Sequence, residues 1–188
     1  MTTENSNPST EAPVIEVQDL VASYDGRAIL KGISVDVREG EIMVIMGGSG
    51  SGKSTLLRYM MALEAKDEGT IRLLEKDLDG LTGLEMFELR KKLGVAFQGG
   101  ALFSSMSVGQ NIMLPLREHT DLDPQTMAIM ARMKLGAVDL AGFEDLMPSQ
   151  LSGGMVKRAA LARAIIMDPR ILFCDEPSAG LDPVVASA

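Results

Sequence analysis

The stretch Gly47-Gly48-Ser49-Gly50-Ser51-Gly52-Lys53-Ser54-Thr55 constrains this chain more than any other. From Gly47 to Ser54 it fits G-x-x-x-x-G-K-[ST], the pattern of a phosphate-binding loop. An apolar run, Ile42-Met43-Val44-Ile45-Met46, precedes it and is expected to form a buried strand. Ser54 to Leu63 follows with the pattern of a helix. This strand–loop–helix setting distinguishes a P-loop from a flexible Gly/Ser linker, which has no reason to lie between a buried strand and a helix. The glycines allow backbone N–H groups to curl around a polyphosphate without Cβ clashes. The helix N-terminus adds partial positive charge. Lys53 is placed to reach the outer phosphates of a nucleotide, and the Ser54 hydroxyl to ligate Mg²⁺.

The rest of the chain has to supply a fold around that loop. Its 188 residues suffice for one domain with a real core, and 46% hydrophobic with 23% charged residues reads as globular. A net charge of −8 argues against nucleic acid as the main partner, which demands a basic face. No apolar run reaches the roughly 18 residues that a membrane span requires. Met1 to Ala12 is polar, carries no apolar signal-peptide core, and is expected to be a disordered tail. The single cysteine, Cys174, excludes an internal disulfide and fits a reducing compartment. It lies in a strand-like run and reads as a buried structural thiol.

Val14-Ile15-Glu16-Val17 and Gly32 to Arg38 alternate apolar and polar residues, as half-buried antiparallel strands do, with turn signals at Asp25-Gly26 and Glu39-Gly40. Gly69 to Leu74 is a further strand candidate. Thr82 to Lys92 reads as a helix with Thr82 as its cap. Leu93 to Phe97 is a short continuous apolar run, the mark of a buried parallel strand. From Ala101 to about Pro148 the pattern is helical and rich in methionine, with one helix over Pro124 to Leu135. Met127, Met130 and Met133 read as packing surface. Gly154 to Met167 forms another helix, stopped by Asp168-Pro169. Ile171 to Cys174 is a last apolar strand. Strands alternating with helices point to an α/β parallel sheet.

Asp175-Glu176 follows that last strand directly, at the edge where α/β sheets bind ligands. Asp175 suits Mg²⁺ and Glu176 suits polarisation of an attacking water. Leu151-Ser152-Gly153-Gly154-Met155 is a second glycine-rich turn ahead of a second helix. Taken alone it is an ordinary helix cap. In a chain that already has a P-loop, it suggests an anion site for a nucleotide held by a partner chain.

In this order the motifs resemble those of the ATP-binding subunits of ABC transporters, from Val14 to Pro183. Lys53 and Ser54 match Walker A, and Ile171 to Glu176 match Walker B. Leu151 to Gly154 matches the ABC signature, followed by Ala162-Arg163-Ala164. Gln98 matches the Q-loop, and Ser178 to Asp182 the D-loop. Tyr24 matches the aromatic residue that stacks on adenine. The resemblance implies an α/β P-loop NTPase (RecA-like) core in residues 13–188, with an N-terminal antiparallel β-subdomain and an inserted helical subdomain at about 101–167. It implies ATP and Mg²⁺ as cofactors, with Ser54, Gln98 and Asp175 around the metal and Glu176 beside water. Tyr24, Gly47 to Thr55, Ser152, Gly153, Gly154 and Asp182 surround the nucleotide. A head-to-tail homodimer and a transmembrane permease, met near Gln98 to Phe103, are the implied partners. The place of action would be the cytoplasmic face of the inner membrane.

Phe97 to Phe103 and Pro115-Leu116-Arg117-Glu118-His119-Thr120 resemble the ATPases of MCE-associated systems, including the Mla phospholipid transporters and the Mkl proteins. That resemblance implies lipid transport at the cell envelope, with an MCE substrate-binding protein as a further partner. Met155 departs from the glutamine usual at the end of the signature. The family also carries a switch histidine a few dozen residues after the Walker B glutamate, and the only histidine here is His119, for which a packing role is expected. A C-terminally truncated chain, lacking a central strand and with little ATPase activity or solubility of its own, is therefore the expectation. Two alternatives stand beside the transporter: a soluble ABC ATPase, and a fragment that binds nucleotide without hydrolysing it.

Overall fold

A computed structural model describes residues 12–24, 27–64 and 66–176. The polar tail up to Glu11, the Asp25-Gly26 turn and the Ser178 to Asp182 motif lie outside the described residues. The chain divides into two compact units, Met1–Gly83 and Leu84–Ala188.

The first unit is built on an antiparallel sheet. β1 (Ile15–Tyr24) pairs with β2 (Arg27–Val37) along one edge and with β3 (Glu68–Leu73) along the other. The two-residue strand β4 (Lys76–Asp77) completes the order β2-β1-β3-β4. The alternation expected of Val14 to Val17 continues through β1, but its phase changes. Ile15 and Val17 are buried, and then Leu20 and Ala22. The switch from odd to even positions coincides with a register shift between Val17 and Leu20. One extra residue in a strand sends every later side chain to the opposite face unless the chain bulges. Asp19 absorbs it at φ +48°, held by the Ser34 hydroxyl, which accepts from the Asp19 N–H at 2.9 Å. Opposite lies Gly69 at φ +91°, where a Cβ would stand 2.5 Å from the carbonyl oxygens of Gln18 and Asp19. Only glycine fits there.

Helix α1 (Lys53–Met60) follows the P-loop and buries Leu56, Tyr59 and Met60. It ends three residues earlier than Leu63, the end expected from sequence. The run Ile42 to Met46 corrects a larger expectation. It forms no strand, and Ile42, Val44 and Met46 are 90%, 72% and 87% exposed. An apolar run becomes a parallel strand only where a neighbour takes up its backbone groups and covers its faces, and no described strand pairs with it.

In the second unit, α2 (Gly83–Arg90) leads into β5 (Leu93–Ala96), which pairs in parallel with β6 (Ile171–Cys174) from Leu93↔Ile171 to Ala96↔Cys174. Both strands were legible as short apolar runs. Between them the chain forms α3 (Val108–His119), α4 (Pro124–Ala137) and α5 (Gly153–Ala164). Val108, Ile112 and Leu116 form one stripe of α3. They meet Met127, Ala131 and Leu135 of α4 and Ala159 and Ala162 of α5 in one apolar cluster. Helix α5 stops at Ala164 rather than Met167. Ile165 caps it, and Asp168 lies at φ +48° immediately before Pro169. His119 packs edge-on against Phe87, with ring centroids 5.2 Å apart, in keeping with the packing role expected of it.

Candidate functional site

The candidate residues fall in both units. In the first, Gly50 and Gly52 take φ +77° and +92°, conformations that side chains disfavour. At Gly52 a Cβ would also stand 3.0 Å from Leu30 Cδ2 and 3.2 Å from Ile29 Cγ2, so the end of the loop is pressed against β2. The Lys53 ammonium is folded back over the loop, donating to the carbonyls of Gly47 at 2.8 Å and Gly48 at 2.9 Å. Gly52, at the cap position of α1, contributes no side-chain hydrogen bond, and the first turn holds no acidic residue. The positive end of the helix and the lysine therefore act together on whatever anion enters. Ser49, Gly50, Ser51 and Ser54 are exposed, and Thr55 half-buried, so the loop is open to a ligand. Tyr24 is the last residue of β1. Asp182 lies outside the described residues.

The second unit carries the carboxylates. β6 delivers Asp175 and Glu176 to its C-terminal end, Asp175 half-buried and Glu176 exposed. The Asp175 N–H donates to the Ala96 carbonyl at 3.0 Å, which continues the β5–β6 pairing past the last paired residues. Glu176 itself lies at φ +48°, an unfavourable conformation for a long side chain. Gln98 sits just past β5, and its side-chain amide donates to the Glu176 carboxylate. Parallel pairing of β5 with β6 thus brings together two residues 78 positions apart in sequence. Cys174, expected to be buried, is half-buried, and that burial pushes its thiol up from its usual range.

The glycine-rich turn before α5 is a true cap. The Ser152 hydroxyl accepts from the Met155 N–H at 3.3 Å, and Ser152 and Gly153 are exposed. With no acid in its first turn, α5 presents an open positive end.

Two residues of the site went unread in the sequence. Asn111 is fully buried, and its side chain takes the Phe103 N–H at 2.7 Å while donating to the carbonyls of Phe103, Met106 and Ser107 at 3.0–3.1 Å. It clamps the loop that follows Gln98. The available signal was a polar residue on the Val108–Ile112–Leu116 face of a helix. Arg163 had a place in a motif but no role. Its guanidinium donates to the carbonyls of Gly100 at 3.0 Å and Ala101 at 2.9 Å. A long cation set between the buried alanines 162 and 164 was the sign of it.

The donors suit a magnesium nucleotide. A serine hydroxyl, an aspartate and an amide carbonyl are hard oxygen ligands of the kind Mg²⁺ takes together with phosphates. Among the described residues, no group of three or more His, Cys, Asp or Glu could hold a metal ion.

The chain is similar to known proteins. The chain is 43% identical over 171 residues to the intermembrane phospholipid transport system ATP-binding protein MlaF of Haemophilus influenzae, covering 91% of this chain and 65% of that protein. MlaF of Escherichia coli K12 is 42% identical over 173 residues, covering 92% and 64%. The probable ribonucleotide transport ATP-binding protein mkl of Mycobacterium leprae is 42% identical over 170 residues, covering 90% and 49%. The chain thus spans about half to two thirds of the length of these relatives. Among solved structures, the ATP-binding cassette MJ0796 in a dimeric post-hydrolysis state with ADP and Pi superposes with a TM-score of 0.85 at 29% identity, covering 92% of this chain and 78% of that one. The cassette cbiO1 of Clostridium perfringens gives 0.83 at 32% identity, covering 94% and 70%. A sequence profile described as ABC transporter matches residues 30–179, and the chain belongs to that family.

Proposed function

We propose that this chain is the ATP-binding and ATP-hydrolysing part of an ABC transporter that moves phospholipid at the cell envelope. The observation that carries the reading is the P-loop, with its lysine seated on the Gly47 and Gly48 carbonyls at an uncompensated helix end. The MlaF relatives support the choice of cargo.

When bound, MgATP supplies the phosphoryl group that passes to water and the cation that offsets its charge. Lys53 and the N–H groups of Gly47 to Thr55 would hold the phosphates, and Tyr24 would stack on the adenine. Ser54, Gln98 and Asp175 would supply oxygen ligands to the metal. Glu176 orients the water and draws off its proton. Ser152, Gly153 and Gly154, with Asp182, close on the nucleotide of a second copy in a head-to-tail dimer. Positioning and fixed charge supply most of the rate in such a site. Residues 13–188 form the ATPase domain, with residues 101–167 as its helical subdomain, and the surface from Gln98 to Phe103 meets the permease. An MCE protein is the further partner. The chain acts as a peripheral subunit on the cytoplasmic face of the inner membrane. No helix among the described residues is long and apolar enough to cross a membrane.

Titration with a fluorescent ATP analogue tests the binding. Lys53→Ala is expected to lose most of its affinity while keeping the wild-type melting curve, and equal affinity would remove Lys53 from the site. Glu176→Gln is expected to bind MgATP normally and to turn over about 10²–10⁴-fold more slowly in the complex with the permease. The name of the mycobacterial relative refers to ribonucleotides. Stimulation of turnover in that complex by phospholipid vesicles, and not by ribonucleotides other than ATP, is the expected cargo result.

A further inference from the structure

Arg163 stands out among the charged groups of the second unit. It is the last but one residue of α5, the helix whose first turn carries Ser152, Gly153 and Gly154. Its two terminal nitrogens span consecutive carbonyls, those of Gly100 and Ala101. Among the described residues it pairs with no carboxylate, so the guanidinium is committed to the backbone. Arg163 is half-buried, and that burial pulls its guanidinium below its usual range.

The turn it holds is strained. Gly100 lies at φ +75° and Ala101 at φ +48°, and a Cβ on Gly100 would stand 2.7 Å from Val156 Cγ1, also on α5. Glycine takes such a φ freely, but Ala101 in the left-handed region carries a cost that its surroundings must hold. The Gly100 N–H closes the turn by donating to Phe97 at 2.8 Å. Gln98 sits inside that closed turn, with its side chain on Glu176. The path from α5 to the carboxylate thus runs through two hydrogen bonds from one arginine, one tight turn and one amide.

We infer that Arg163 is a positioning residue. By fixing the turn at Gly100 and Ala101 it holds Gln98 against Glu176 and ties the signature helix to the residue that faces the attacking water. The inference rests on the reading of Gln98 and Glu176 as hydrolytic residues. Its own content is the dependence of their contact on Arg163. A merely structural arginine would leave that contact in place whenever the protein folds.

The test is the side-chain amide resonance of Gln98 in the full chain labelled with ¹⁵N-glutamine, assigned by its loss in Gln98→Asn. The carboxylate contact is expected to shift one Gln98 proton downfield, and Glu176→Ala to abolish the shift. Arg163→Gln is expected to abolish it as well, with the methyl resonances of Leu135 and Leu140 unchanged. Arg163→Lys keeps the cation and most of the stem but cannot span two carbonyls, so it is expected to retain part of the shift. If Arg163→Gln fails to fold, the lysine variant decides. A full Gln98 shift in a folded Arg163→Gln, or in Arg163→Lys where only that variant folds, overturns the inference. So does a wild-type chain without the shift. In the ATPase assay with the permease, Arg163→Lys is expected to lower kcat by about 10–100-fold, the scale of a misplaced group, with KM for MgATP unchanged. A normal Glu176→Gln turnover would refute the hydrolytic reading and leave the Gln98 resonance test standing.

Discussion

Asn111 shows how much one buried amide can organise. It uses its acceptor and both donors on the backbone of residues 103–107, inside a helix face that is otherwise apolar. An amide satisfied in this way rigidifies a loop, whereas a lost partner leaves buried backbone groups without hydrogen bonds. Asn111→Ala is expected to destabilise the fold by about 1–3 kcal/mol. Faster amide exchange at Phe103 should accompany it. A denaturant midpoint within error of wild type would mean that water replaces the amide. Its neighbour in effect, Phe103, is 51% exposed on the loop thus held, where the permease is proposed to dock.

Among the elements, α4 offers a pH-dependent cap. The Asp123 carboxylate accepts from the N–H groups of Gln125 and Thr126, each at 3.0 Å, and from the Thr126 hydroxyl at 2.6 Å. The hydroxyl is the largest cause that holds this carboxyl below its ordinary value, and the backbone N–H of Thr126 adds to it. A depressed folded-state value stabilises the fold above the ordinary aspartate range, and the effect is lost as the pH falls through the folded value. The melting temperature of wild type should therefore fall more steeply in acid than that of Asp123→Asn, and parallel acid limbs would refute the cap. The β5 strand has a steric requirement instead. A Cβ on Gly94 would stand 2.4 Å from the Ala164 carbonyl oxygen and 2.8 Å from Pro169 Cγ, so α5 and β5 approach backbone to backbone. Gly94→Ala is expected to cost about 1–3 kcal/mol, the scale of overpacking, in a urea titration. An unchanged midpoint would show that α5 can withdraw freely.

At the scale of the whole molecule, the helical cluster is one apolar core shared by three helices. Leu135 and Leu140 are fully buried, and the Leu140 N–H donates to the Leu135 carbonyl at 2.8 Å, folding the chain beyond α4 back onto its last turn. Leu140→Ala should cost about 2–5 kcal/mol, as truncations of buried leucine do. Because α3, α4 and α5 share one core, hydrogen exchange is expected to rise in all three helices together. Loss of protection confined to the end of α4 would show that the cluster is not one cooperative unit.

The P-loop, the Asp175-Glu176 pair and the Ser152 cap were legible in the sequence because each is local. Their chemistry depends on residue types at short spacing and on one strand or helix end: the carboxylate pair follows β6 and the Ser152 cap opens α5 as expected, while the P-loop has its helix α1 but not the strand expected before it. The antiparallel hairpin and the β5 and β6 runs were legible for the same reason, through alternation and apolar continuity. What needed tertiary structure was everything set by pairing and approach. The bulge at Asp19 appears only when β1 is laid against Gly69. The apolar run Ile42 to Met46 reads as a strand by pattern, yet no described strand pairs with it, because a strand is a property of two segments rather than one. The Gln98–Glu176 contact, the Arg163 clamp and the Asn111 network join residues 78, 62 and 8 positions apart. Even the shortest of these depends on a buried helix face. Local pattern carries the chemistry of single motifs, while the distances between motifs are decided by packing, which no window of sequence contains.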